Sequence, residues 1–213
     1  MRVGNFCLII PQGRERESGH VAIAHGTQYT IQMRNYWHDR ACDAELTVDG
    51  KPEGGWRIPA GGTIILERPV HDTGRFTFYK AASEEAKAAG VDLVGNDDRG
   101  LIVVRFKPEF PLRHRPVGGV LRSMSMQPAG GISLDCVPQG GETVYSSDMA
   151  RTSAGITGLS GHSNQQFVDV APLTYDMTEE VLITVRLVCD ESARPLTPQQ
   201  VTPRSNAVPA PVG

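Results

Sequence analysis

Tyr29-Thr30-Ile31-Gln32-Met33-Arg34 and Cys42-Asp43-Ala44-Glu45-Leu46-Thr47-Val48-Asp49-Gly50 together decide the fold class. In the first segment Tyr29, Ile31 and Met33 alternate with polar residues. In the second, Ala44, Leu46 and Val48 do the same. A period of two with polar partners describes strands that bury one face. Asp49-Gly50 predicts a tight hairpin, because a type I′ turn needs positive φ at both central residues. The return strand is expected over 54–58, carrying Trp56. Pro59-Ala60-Gly61-Gly62 then turns the chain into a strand over 63–67. Pro69, which cannot donate to a ladder, closes that strand. A further strand over 75–79 has Phe76 and Phe78 facing inward. Residues 29–79 therefore read as a meander of short strands.

Working outward, a strand is expected over 6–10 and another over 20–24, with Val21 and Ile23 on one face and Gly26 at its end. Between them Arg14-Glu15-Arg16-Glu17 alternates in sign and reads as a solvated loop. Residues 80–89 break the strand pattern with strong helix formers; Ser83 supplies a cap and Gly90 a stop. The near-continuous apolar run 101–106 predicts a central strand. Regularity is lost over 108–165, where glycine pairs at 118–119, 130–131 and 140–141 alternate with prolines, and Ser123-Met124-Ser125-Met126 intervenes. So long a run without pattern reads as an insertion or an arm that gains order against a neighbour. Val181, Ile183, Val185 and Leu187 mark the last strand, expected to return to the sheet begun at Tyr29. From Arg194 onward five prolines predict an extended tail. The expected architecture is all-β: an antiparallel, jelly-roll-like β-sandwich with one short helix and a long irregular arm. Its organisation is expected as a sandwich of residues 1–107 plus 166–193, an arm at 108–165 and a tail at 194–213.

Composition narrows the function classes. A net charge of -3 gives no general attraction to nucleic acid or to an anionic membrane. No segment approaches the ~20 apolar residues of a membrane-spanning helix. The apolar run 6–10 is too short for a signal-peptide core and meets Pro11 directly, so folding in a reducing cytoplasm is expected. The four cysteines, Cys7, Cys42, Cys136 and Cys189, form no C-x-x-C pair, which removes zinc knuckles and thioredoxin-like redox sites. Their even number permits two disulfides; in a reducing compartment they stay as four thiols packed as small apolar groups.

Several residues invite a functional reading. Gly158-Leu159-Ser160-Gly161-His162 approaches the nucleophile elbow G-x-S-x-G, but its fifth position is His162, and no strand–turn–helix frame is visible. A loop of small residues bonded to backbone accounts for it, and no catalytic residue is assigned. His20 and His25 are five apart and fall on opposite faces of one extended strand. His38-Asp39 and His71-Asp72 each join an imidazole to a carboxylate in a predicted turn, and turn chemistry explains both. No cofactor and no metal is expected. Tyr36, Trp37 and Trp56 offer an aromatic platform for a sugar or a protein. Trp56 is expected in the core, and at least one of Tyr36 and Trp37 at the surface. Arg113-His114-Arg115 with Arg122 is locally basic but lacks the stacking aromatics of a single-strand binder.

The segments 42–50, Trp56-Arg57-Ile58-Pro59, Glu67-Arg68-Pro69 and Arg75-Phe76-Thr77-Phe78 resemble a group of β-sandwich proteins of tailed phages and large DNA viruses. The run 158–167 and Val185-Arg186-Leu187-Val188 are similar to that group's closing block. The resemblance implies a virion component, such as a capsid decoration, cement or minor head protein, assembled in the host cytoplasm. It implies no enzymatic activity, binding to the capsid lattice and to neighbouring subunits, and a homo-oligomer. Tyr36, Trp37, Met124, Met126 and Tyr145 are the candidate partner-binding residues. Sheet edges must be hidden in such a body, and oligomerisation through them is one route. The rival expectation is a carbohydrate- or receptor-binding module using Tyr36 and Trp37.

Overall fold

The computed structural model describes residues 1–91, 98–111 and 152–191. In chain order its strands are β1 (Arg2–Val3), β2 (Phe6–Ile9), β3 (Arg14–Glu15), β4 (His20–Ile23), β5 (Thr27–Gln28), β6 (Ile31–Asn35), β7 (Cys42–Val48), β8 (Lys51–Ile58), β9 (Thr63–Leu66) and β10 (Arg75–Lys80). The helix α1 (Glu84–Ala88) follows, then β11 (Leu101–Pro108), β12 (Thr152–Ser160) and β13 (Val181–Asp190). The chain is an all-β sandwich of two packed sheets. The smaller sheet runs β1-β2-β6-β9, and the larger has nine strands built on β5-β10-β12-β13-β11-β7-β8, with β4 joined to β13 and β3 to β4.

The period-two segments form the strands they predict. Along β7, Cys42, Ala44, Leu46 and Val48 are all buried and the residues between them are not. Asp49 at φ 51° and Gly50 at φ 79° make the hairpin into β8. Its register slips at Leu46/Thr47, leaving one extra residue on the β8 side, a bulge that bends this edge strand. Tyr29, Ile31, Met33, Phe76 and Phe78 are fully buried. Ser83 caps α1 by accepting from the Ala86 amide, and Gly90 follows the helix at φ 69°. The core lies between the sheets. Phe6 of β2 stacks on Phe106 of β11 with ring centroids 4.7 Å apart, so one aromatic pair couples the two layers. Cys7 and Cys42 are buried free thiols and Cys189 is buried as well, and burial pushes the Cys42 thiol up to about 12. Cys136 lies outside the described residues.

Three expectations are corrected. The last strand returns to only part of the meander begun at Tyr29: β13 shares the larger sheet with β7, β8 and β10, whereas β6 and β9 belong to the smaller, because the meander crosses between layers at the 36–41 turn. The expected arm boundary at 165 is also wrong. Thr152–Ser160 pairs with β10 over Arg75–Lys80 and with β13 at its start. This strand carries little apolar alternation because its neighbour's rings fill the space. A Cβ on Gly155 would stand 1.9 Å from Cζ of Phe78, and one on Gly158 would stand 2.8 Å from Cε2 of Tyr79. Finally, Arg14–Glu15 is exposed as expected but pairs with β4 rather than forming a free loop.

A candidate interaction face

Residues 161–180 form few ladder bonds yet run a defined course. Gln165 sits at the β9 edge, where its Oε1 accepts from the Glu67 amide at 3.0 Å and its Nε2 donates to the Ile65 carbonyl at 2.6 Å. One side-chain amide thus does what a neighbouring strand's peptide group would do. Phe167 then meets Trp56 edge-on at 5.7 Å, with the Arg68 guanidinium 4.4 Å above its ring. The Ala171 carbonyl accepts from Arg57 of β8. Tyr175 pairs with Glu109, and its hydroxyl donates to Asp43. This strap joins the β9 edge of one sheet to the β8 edge of the other. The Val70 amide adds a bond to the Glu53 carbonyl of β8, and Pro52 of the same strand has no amide hydrogen to offer. The described edges are therefore short, as in β1 and β5, or covered from within the chain. Replacing Gln165 by Ala is expected to cost about 1 kcal/mol by loss of two partly exposed hydrogen bonds. It should also raise light scattering at high protein concentration. Urea denaturation and static scattering measure both.

The outer faces of the two sheets differ in charge. On the larger sheet, Asp43 pairs with Arg57 at 2.8 Å, Glu180 with Arg105 at 3.3 Å, and Glu45 with Lys107. Leu182 is an exposed apolar residue among them. On the smaller sheet, register places Arg2, Cys7, Arg34 and Thr63 in one row. Ile9, Gln32 and Ile65 form the next. Residues in register share a face, and the face repeats every second residue. Ile9 is 39% and Ile65 49% exposed. Arg2 and Arg34 are exposed, and their guanidiniums stand 4.2 and 4.5 Å from the ring centroid of Tyr36. Among the described residues neither arginine forms an ion pair. Glu67, two residues beyond Ile65 along the chain, is held by Arg75 at 3.1 Å and by the Ser163 hydroxyl at 2.7 Å.

The residues singled out in the sequence distribute as follows. Tyr36 lies on this face, half-buried beneath the two arginines. Trp37 is also half-buried and is turned to other work: Arg40 stacks 3.8 Å over its ring while pairing with Asp176 at 3.3 Å. Neither ring is fully exposed, and both carry guanidiniums where a sugar would stack. Trp56 is in the core, 9% exposed, and its buried Nε1 has no hydrogen-bond partner among the described residues. Met124, Met126 and Tyr145 lie outside the described residues, as do Arg113, His114, Arg115 and Arg122. Ser160 bonds Thr77 and Gln28 through its hydroxyl, and His162 is exposed with its carbonyl accepting from Arg75. The Nδ1 of His25 accepts from the Lys80 amide. Among the described residues no three His, Cys, Asp or Glu side chains converge on a metal-sized site, and no helix is long and apolar enough to cross a membrane.

No protein-family model, curated protein or solved structure matches the chain.

Sequence reasoning selected Tyr36 but missed Arg2, Ile9, Arg34 and Ile65. Each is ordinary in its own segment, and only the pairing of β1, β2, β6 and β9 makes them neighbours. The available signal was the pair Gln32 and Arg34, the outward positions of the strand whose inward positions are Ile31 and Met33.

Proposed function

We propose that this protein is a non-enzymatic structural component of a virus particle, attached to neighbouring subunits or the capsid lattice as a decoration, cement or minor capsid protein. The observation that carries the reading is the contrast in the smaller sheet. Its β9 edge is closed by the protein's own strap, whereas its outer face keeps two exposed isoleucines and two arginines that form no ion pair among the described residues. A rigid body with closed edges and one adhesive face suits repeated docking on a symmetric shell, where modest contacts add through multivalency. The resemblance of 42–50, 56–59, 67–69, 75–78 and the closing block to virion sandwiches supports the same role. The arm and the tail 194–213 add contact surface in this proposal on the strength of their composition.

Mass spectrometry of purified virus particles tests it. The protein is expected as a stoichiometric component that co-sediments with intact particles. Its recovery only in the soluble fraction of infected cells, with none in particles, overturns the reading.

A further inference from the structure

We propose that the outer face of the smaller sheet docks an acidic, amphipathic segment of a partner protein, its carboxylates on Arg2 and Arg34 and its apolar side chains on Ile9 and Ile65. The proposal rests on the assembly reading above and adds the chemistry of the partner. Charge decides the class of occupant. Arg2 and Arg34 project from one register row and share the ring of Tyr36. That ring offers a cation–π contact to each guanidinium and anchors both at the same place on the face. No carboxylate among the described residues neutralises either, although the same chain pairs Arg57, Arg105 and Lys107 on its other face. Planar guanidiniums fit carboxylates in bidentate fashion. Two residues along each strand, on the same face, lies the apolar row, with Gln32 between Ile9 and Ile65. The site therefore asks for two kinds of group on one side of a single element.

A second copy of the chain fits poorly. Two-fold packing of this face on itself would bring arginines toward arginines. The ladder of four short strands covers only roughly 250–300 Å² at ordinary strand spacing, well below the ~800 Å² per partner of a stable interface. Strand addition at β9 is blocked while Gln165 bonds Ile65 and Glu67. What fits is a single helix or loop laid across the face.

Calorimetric titration with a helical probe peptide tests this, its leucine stripe flanked by glutamates, against the same peptide with lysines for glutamates. Saturable binding of the glutamate peptide is expected, none of the lysine peptide, and at least tenfold weakening at high salt. Arg2→Glu with Arg34→Glu, and separately Ile65→Lys, should each weaken binding tenfold or more. Their urea midpoints should stay unchanged, since these side chains are exposed. Equal binding of both peptides, no binding of either, or unaltered affinity in the charge-reversed protein overturns the proposal. So does tighter binding to duplex DNA or to phosphatidylserine vesicles than to the peptide, which would indicate a general polyanion surface. Particle incorporation that survives all the substitutions overturns this face and leaves the assembly role standing. Peptide binding without particle incorporation does the reverse.

Discussion

Replacing Asp49 by Ala is expected to destabilise the protein by about 2–4 kcal/mol, because its carboxylate serves two backbone donors that have no substitute. Oδ1 accepts from the Gly100 amide and Oδ2 from the Thr157 amide, at 2.5 and 2.7 Å. The Asp49 amide itself donates to Leu101. Gly100 and Thr157 stand where β13 changes partner, from β11 over Leu101–Phe106 to β12 over Thr152–Ala154. One turn residue thus holds the β7–β8 hairpin against the junction of two other strands. The Asp49 backbone has φ 51°, a conformation that Asp and Asn adopt more readily than Ala. Burial pushes the carboxyl up to about 6, against the Thr157 and Gly100 amides and the Lys51 charge, which pull it down. A folded-state value above the unfolded one means a contribution that is full below about 4 and lost as pH rises through 6. The neighbouring titrating groups are Lys51, Glu53 and Tyr29, and Asp98 approaches Gly50. Urea midpoints of the native protein and of Asp49→Asn, measured between pH 4 and 7, isolate the Asp49 share. The native protein's advantage over the variant should shrink as pH rises, and a constant difference would show that Asp49 does not titrate in this range.

The second large effect is expected at Gly155. An added methyl would fall 1.9 Å from Cζ and 2.0 Å from Cε2 of Phe78, whose side chain is fully buried and cannot withdraw. Overpacking of this kind costs about 1–3 kcal/mol and occasionally more, and Gly155→Ala should reach the upper end. The cause can be separated from a general intolerance of the strand. Phe78→Leu removes the obstructing edge of the ring, so Gly155→Ala should cost about 1–2 kcal/mol less in that background. Thermal or urea unfolding of the four proteins in the cycle gives the coupling. Additive losses would mean that the backbone, not the ring, sets the requirement for glycine.

These two residues show what the sequence could and could not convey. The hairpin at Asp49-Gly50 was legible because turn geometry is local, and so was the inward set Tyr29, Ile31, Met33, Phe76 and Phe78, because pleating is periodic. The second role of Asp49 was hidden behind the first: a residue already explained by its turn gives no sign that its carboxylate also bonds strands far along the chain. β12 escaped notice for a packing reason. Its inward volume at Gly155 is supplied by Phe78, so the strand itself shows small residues and no alternation. The strap 161–180 has neither period, since Gln165, Phe167 and Tyr175 are anchored by side chains and isolated bonds. The separation of β6 from β7 into different sheets was equally invisible, because both alternate in the same way. For the interaction face, Tyr36 stood out as an aromatic in a turn. Its arginine partners came from strands with no reason to be neighbours until the smaller sheet was assembled.

β13 is paired with β11, with β12 and, in parallel, with β4, so that His20 lies opposite Arg186. This carries a consequence for biosynthesis. The strand that unites the larger sheet is the last of the described strands to be synthesised, and the N-terminal segment must wait for it. Until then β4 and β11 each expose an unsatisfied side, and loop closure over such separations is slow. Nascent chains of this protein should therefore depend on chaperone shelter until β13 has emerged, and the larger sheet should then close in a single late event.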